Sequence, residues 1–95
     1  MEKIKDVKLA MIVASSSALT YLDKNKNADI EEVIRHVIGE LKAERDAKIA
    51  GVAAVNYVLK YKQKNPRAGQ KEIMQNLVNS ANEIFDSIKD EIKEM

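Results

Sequence analysis

Asp23, Asn25, Asn27 and Asp29 fall at alternate positions in YLDKNKNADIEEVI, residues 21–34, with Ile30 directly after them. Oxygen-bearing side chains at this spacing are what a calcium loop uses, since calcium is held by a shell of oxygen ligands. Two positions break the pattern. The sixth should be a glycine that permits a sharp turn and is Ala28; the twelfth should be a bidentate glutamate and is Ile34. The chemistry expected there is capping. Asn27 or Asp29 closes the start of a helix, with Glu31 and Glu32 in its first turn near the positive end of the dipole.

The other reactive residue types also lack partners. His36 follows Glu32 by four, the spacing of half a carboxylate–histidine metal pair, but it is the one histidine of the chain and no second such pair exists. No metal is expected. With no cysteine there is no disulfide, thiolate ligand or thiol nucleophile. Gly39, Gly51 and Gly69 are too far apart to build a phosphate-cradling loop. Ser15, Ser16 and Ser17 lie outside any Gly-x-Ser-x-Gly setting, so their hydroxyls are expected to bond back to helix carbonyls. The expectation is a protein that is not an enzyme and carries no cofactor.

Nucleic acid is the remaining chemical possibility. Residues 65–92, NPRAGQKEIMQNLVNSANEIFDSIKDEI, have the apolar spacing of a helix-turn-helix reader, but Val78 and Asn79 stand where the turn wants a glycine and an apolar residue. The would-be recognition helix carries Glu83, Asp86, Asp90, Glu91 and Glu94 against Lys89 and Lys93, five acids to two bases and a net of −3, which repels phosphate. The basic cluster is Lys60, Lys62, Lys64, Arg67 and Lys71, with no acid from Lys60 to Lys71. It is the candidate partner-binding patch, for an acidic protein or RNA. Its plainer reading is a solvated helix end, where cations suit the dipole.

These residues sit on a chain that matches itself at a shift of forty positions. Asp6/Asp46, Lys8/Lys48, Ala10/Ala50, Ala14/Ala54, Leu19/Leu59, Tyr21/Tyr61, Lys24/Lys64, Asn25/Asn65, Ala28/Ala68 and Glu32/Glu72 are identical pairs. The period suits a helical hairpin, giving one repeat over about 5–38 and a second over about 45–78. The second copy of the loop, QKNPRAGQKEIM, keeps Lys64, Asn65 and Ala68 but has no carboxylate before Glu72. What the two loops share should therefore be a turn between helices, not a metal site. Tyr21 and Tyr61 precede their loops by the same step and are expected to anchor them by packing, each hydroxyl reaching solvent or a loop carbonyl.

Apolar spacing gives an all-α fold, a single domain over residues 1–95 arranged as an antiparallel helical bundle of two repeated hairpins. Ile4, Val7, Met11, Ala14, Ala18 and Tyr21 form a seam, widened by Leu9, Ile12 and Leu19, on a helix from about Lys3 to Lys24. Ile30, Val33, Ile34, Val37, Ile38 and Leu41 mark the next. Ile73, Leu77, Ala81, Ile84, Ile88 and Ile92 mark the last, which starts after the turn from Pro66 to Gly69. Ala10, Ala14, Ala18, Ala50, Gly51 and Ala54 are small and form the candidate helix-packing seam. Their charged flanks point to close packing between soluble helices rather than a membrane dimer motif.

KAERDAK, residues 42–48, has strong helix formers throughout. It favours one unbroken helix from Asp29 to Lys64, roughly 54 Å long, too long for one chain of this size to cover and hence a homodimer. The alternative is a tight turn near Lys42 to Asp46 that closes a four-helix bundle.

Composition supports a folded, cytoplasmic protein. The 95 residues are 45% apolar and carry a formal net charge of +1, which gives no general attraction to membranes or nucleic acid. LAMIVASSSALTYL, residues 9–22, is too short and serine-rich to span a bilayer, and its internal counterpart at 49–62 argues against a signal segment. The function expected is self-association or binding of another protein, with a nucleic-acid accessory role through Lys60–Lys71 as the alternative.

Overall fold

The computed structural model describes residues 3–93, with side chains described through residue 89. Four helices follow in order: α1 (Val7–Lys24), α2 (Ile30–Glu40), α3 (Arg45–Lys64) and α4 (Gln70–Lys93). Among the described residues the other regular pairing is an isolated parallel bridge between Ile4 and Ala43.

That bridge overturns the long-helix expectation. α2 stops at Glu40, and Leu41 turns extended with φ −74° and ψ 114°. Residues 41–44 then alternate: Leu41 and Ala43 are buried, while Lys42 and Glu44 face solvent. The Ile4 N–H donates to the Lys42 carbonyl at 2.8 Å, and the Glu44 N–H donates to the Ile4 carbonyl at 2.9 Å. Helix propensities among these residues differ by well under 1 kcal/mol each. Burying Leu41 contributes about 1.5–3 kcal/mol, and each backbone bond about 1 more. Tertiary contacts outweigh local preference here, and the reason given for a dimer goes with the long helix. The principal extents are 36 × 27 × 20 Å, too short for a 54 Å rod.

The same bridge moves the start of α1. Ile4 is taken up by the 41–44 link, so the helix begins at Val7 instead of Lys3, and Asp6 caps it by accepting from the Leu9 N–H at 3.0 Å. At α2 the cap is Asp29, whose side chain accepts from the Glu32 N–H at 2.8 Å.

α1 and α3 make the most extensive contact in the molecule, and α2 and α4 each rest on both members of that pair. Ala10, Ala14 and Ala18 on α1, and Ala50, Gly51 and Ala54 on α3, are all buried. A methyl built on Gly51 would stand 3.2 Å from the Ala14 Cβ and 3.0 Å from the Leu41 Cδ2, so a glycine there permits the close approach. α2 adds Val33 and Val37 to the core, and α4 adds Ile73, Leu77 and Ile88. Ile92 lies outside the residues whose side chains are described. Leu9 and Ile12 do not widen the seam as expected. They turn outward, 49% and 40% exposed.

The loops after α1 and α3 have one geometry. Asn25 ends α1 at φ −132°, ψ 69°, and Asn65 ends α3 at φ −131°, ψ 70°. Each asparagine side chain donates back to a tyrosine carbonyl, Tyr21 at 3.0 Å and Tyr61 at 3.1 Å. The N–H groups of Ala28 and Ala68 close the turns on the Asn25 and Asn65 carbonyls, both at 2.9 Å. The tyrosine hydroxyls do not end in solvent or on loop carbonyls. Tyr21 donates to Glu32 at 2.9 Å and Tyr61 to Glu72 at 2.8 Å, tying each helix to the next across its loop.

Candidate functional site

An apolar concavity lies where α2 ends. Ile38 at the end of α2, Ala43 in the link, Ile49, Val52 and Ala53 on α3, and Ile88 on α4 form the floor of a groove of about 660 Å³. The chain makes this floor because α3 buries one side against α1 through its alanines and turns Ile49, Val52 and Ala53 to a flank where they are half-buried among the described residues. Ile38 is 41% exposed, an apolar side chain left at the edge. Lys3, Arg45 and Lys48 border the groove, and among the described residues no carboxylate lines it. Arg45 has a neighbour in Asp46 at 3.8 Å, but both side chains are about half exposed and such a pair holds the guanidinium only weakly. The groove is therefore apolar below and basic at the rim.

A second groove, of about 640 Å³, runs between α1 and α2. Ile12, Val13 and Ser17 line its α1 side, and His36 and Glu40 its α2 side. The His36 ring stacks on Tyr21, with centroids 4.1 Å apart and planes 21° apart. His36 Nε2 lies 3.5 Å from the Glu40 carboxylate. The spacing of Glu32 and His36 thus assembles no ligand pair: Glu32 is held by Tyr21, and His36 faces Glu40. Among the described residues no group of three or more histidines or acids could hold a metal ion. Asp23, Asn25 and Asn27 are exposed, and Asp29 is engaged as a cap.

Lys60, Lys64, Arg67 and Lys71 are exposed around the end of α3 and the loop beyond it. Lys62 is engaged instead in closing that loop, its ammonium donating to the Ala68 carbonyl at 2.8 Å. Asp90, Glu91 and Glu94 lie outside the residues whose side chains are described.

The serine run behaves unevenly. Ser16 is exposed and Ser17 half-buried, but Ser15 is wholly buried between helices, and its Oγ has no hydrogen-bond partner where a bond to a helix carbonyl is expected. Neither groove is visible in the sequence as a motif. Both are made by residues distant along the chain. The available signal is the outward apolar run of Leu9, Ile12 and Val13, and of Ile49, Val52 and Ala53, beside seams already filled by alanine.

Among the described residues no helix is long and apolar enough to cross a membrane. Comparison with protein-family models, curated proteins and solved structures found no match to this chain.

Proposed function

We propose that this chain is a duplicated helical hairpin that works as a non-enzymatic protein-interaction module, and that the groove over α3 receives an acidic amphipathic helix of a partner protein. The observation that carries this reading is the groove itself: Ile38, Ile49, Val52, Ala53 and Ile88 below, Lys3, Arg45 and Lys48 at the rim. A partner helix with an apolar stripe would cover the floor, as amphipathic helices do in other grooves. Carboxylates flanking that stripe would meet the three cations, which gives selectivity and speeds encounter more than it adds affinity.

The duplication is supported by the two loops. Tyr, Asn, Ala and Glu identities at a shift of forty coincide with the same bonds and nearly the same dihedrals. Self-association is the neighbouring possibility within the same class, since a second copy could cover the same floor. The two are separated by solution mass combined with reversal of the rim. With Arg45→Glu and Lys48→Glu together, the chain should stay folded and exchange its preference from an acidic to a basic helical peptide. A wild-type chain that is dimeric, and becomes monomeric on the same substitutions, would assign the groove to a second copy instead.

A further inference from the structure

The two hairpins differ at one place in a way that defines a vacancy. In the second, Tyr57 of α3 lies beside Tyr61, ring centroids 6.5 Å apart, and its hydroxyl is 3.1 Å from Ser80 Oγ. Asn76 from α4 completes the corner by donating to the Tyr61 hydroxyl at 3.1 Å. Forty positions earlier the corresponding residues are Ser17, Tyr21, Glu40 and His36. All four line the groove between α1 and α2. Ser17 stops at a hydroxymethyl where Tyr57 supplies a whole phenol, and Glu40 stands where Ser80 pairs with that phenol's hydroxyl.

We infer that the groove between α1 and α2 is a binding seat for one phenolic ring, supplied by a ligand in place of the tyrosine that the second hairpin carries itself. The ring lies along the stacked pair of Tyr21 and His36, and the phenol O–H donates to the Glu40 carboxylate. Offset or edge-on ring contacts make such a shelf attractive to another aromatic group. A phenol donating to a carboxylate is already the bond this chain uses twice, from Tyr21 to Glu32 at 2.9 Å and from Tyr61 to Glu72 at 2.8 Å. Charge assistance makes it stronger than a neutral pair. Ile12 and Val13 cover the ring's apolar edge. The inference rests on the correspondence of the two hairpins and not on the groove over α3, so either can fail without the other. The phenol can come from a free small molecule or from a tyrosine side chain at a protein surface, and the chemistry of the seat is the same for both.

Amide chemical shifts of the labelled full chain, titrated with p-cresol, with toluene, and with a short peptide bearing one tyrosine or one phenylalanine, test this. The expected result is perturbation at Ser17, Tyr21, His36 and Glu40 by p-cresol. Toluene should bind roughly tenfold more weakly, the loss of one charge-assisted hydrogen bond. Perturbation by the tyrosine peptide as well assigns the seat to a protein partner; perturbation by p-cresol alone assigns it to a small phenol. The variant Ser17→Tyr with Glu40→Ser copies the second hairpin and should abolish binding while remaining folded. Should that pair fail to fold, Glu40→Ala, at an exposed position, should erase the preference for p-cresol over toluene. No perturbation by any probe, or equal binding of p-cresol and toluene to the wild-type chain, overturns the inference.

Discussion

Gly51 and Ala14 mark a close approach of α3 to α1: a methyl on Gly51 would stand 3.2 Å from the Ala14 Cβ, which is fixed to its own helix. The 3.0 Å neighbour, Leu41 Cδ2, is the end of a buried side chain with little room to swing. Gly51→Ala gains helix propensity of about 1 kcal/mol but overpacks the seam at about 1–3 kcal/mol. The expected outcome is a net loss of about 1 kcal/mol in chemical denaturation. Gly39 is the control. A methyl there meets nothing within 4 Å, so Gly39→Ala should stabilise by about 0.5–1 kcal/mol.

Ser15 is wholly buried with an unpartnered hydroxyl, and its counterpart forty positions on, Val55, is wholly buried and apolar. A buried polar group without a partner costs about 1–3 kcal/mol. Ser15→Ala removes that cost with little change of volume and should raise stability by about 1 kcal/mol. A lower thermal midpoint in the variant would show that the hydroxyl has a partner in solution.

The break between α2 and α3 can be probed with proline. Arg45 is the first residue of α3, where a missing N–H costs no helix bond, and Glu44 before it is already extended at ψ 162°. Arg45→Pro should therefore be nearly neutral. Glu44 has φ −67°, which proline accepts, but its N–H is bonded to Ile4. Glu44→Pro should cost about 1 kcal/mol. Were the helix continuous, each would cost about 3 kcal/mol or more and both would lower helicity in circular dichroism.

Alkaline pH should weaken the loops. The phenols of Tyr21 and Tyr61 are held above their ordinary value of 10.0, first by the hydrogen bonds to Glu32 and Glu72, then by partial burial and the carboxylate charges; Asn76 pulls Tyr61 slightly back. A folded-state value above the unfolded one means the protonated form is favoured on folding. The contribution is complete below the unfolded value of about 10 and is lost as pH rises through the folded values. Ultraviolet titration should show two phenols ionising late, and Glu32→Gln and Glu72→Gln should each bring one of them down. If the phenols in those variants titrate as in the wild-type chain, the two hydrogen bonds do not hold in solution.

Much of the helical layout is legible because its ends carry local chemistry. Asp29 before Ile30, and Pro66 with Gly69 before Gln70, mark helix starts through capping and turn geometry that involve only near neighbours. The break at Leu41–Glu44 is not legible in the same way. Leucine, lysine, alanine and glutamate all favour helix, and the alternation that betrays extended backbone is only four residues long. Its cause is Ile4, nearly forty residues away. The start of α1 fails for the same reason, since Ile4 continues the helical spacing but is bonded elsewhere. The grooves are less legible still. Spacing identifies Ile49 and Val52 as apolar, but whether a neighbour covers them depends on where α2 and α4 lie. The small residues of α1 and α3 bear on this: a seam of alanines fills itself, leaving larger apolar residues on the flanks.

The groove over α3 is tested most directly by mapping peptides onto the full chain by amide chemical shift. The probes are amphipathic helical peptides with one leucine stripe, flanked in one set by glutamate and in the other by lysine. The account predicts that the glutamate set perturbs Ile38, Ile49, Val52 and Ala53, weakens as salt rises through screening of Lys3, Arg45 and Lys48, and is lost in Val52→Glu. Lysine-flanked peptides that bind there as well as the glutamate set, or glutamate peptides that perturb only residues elsewhere, would contradict it.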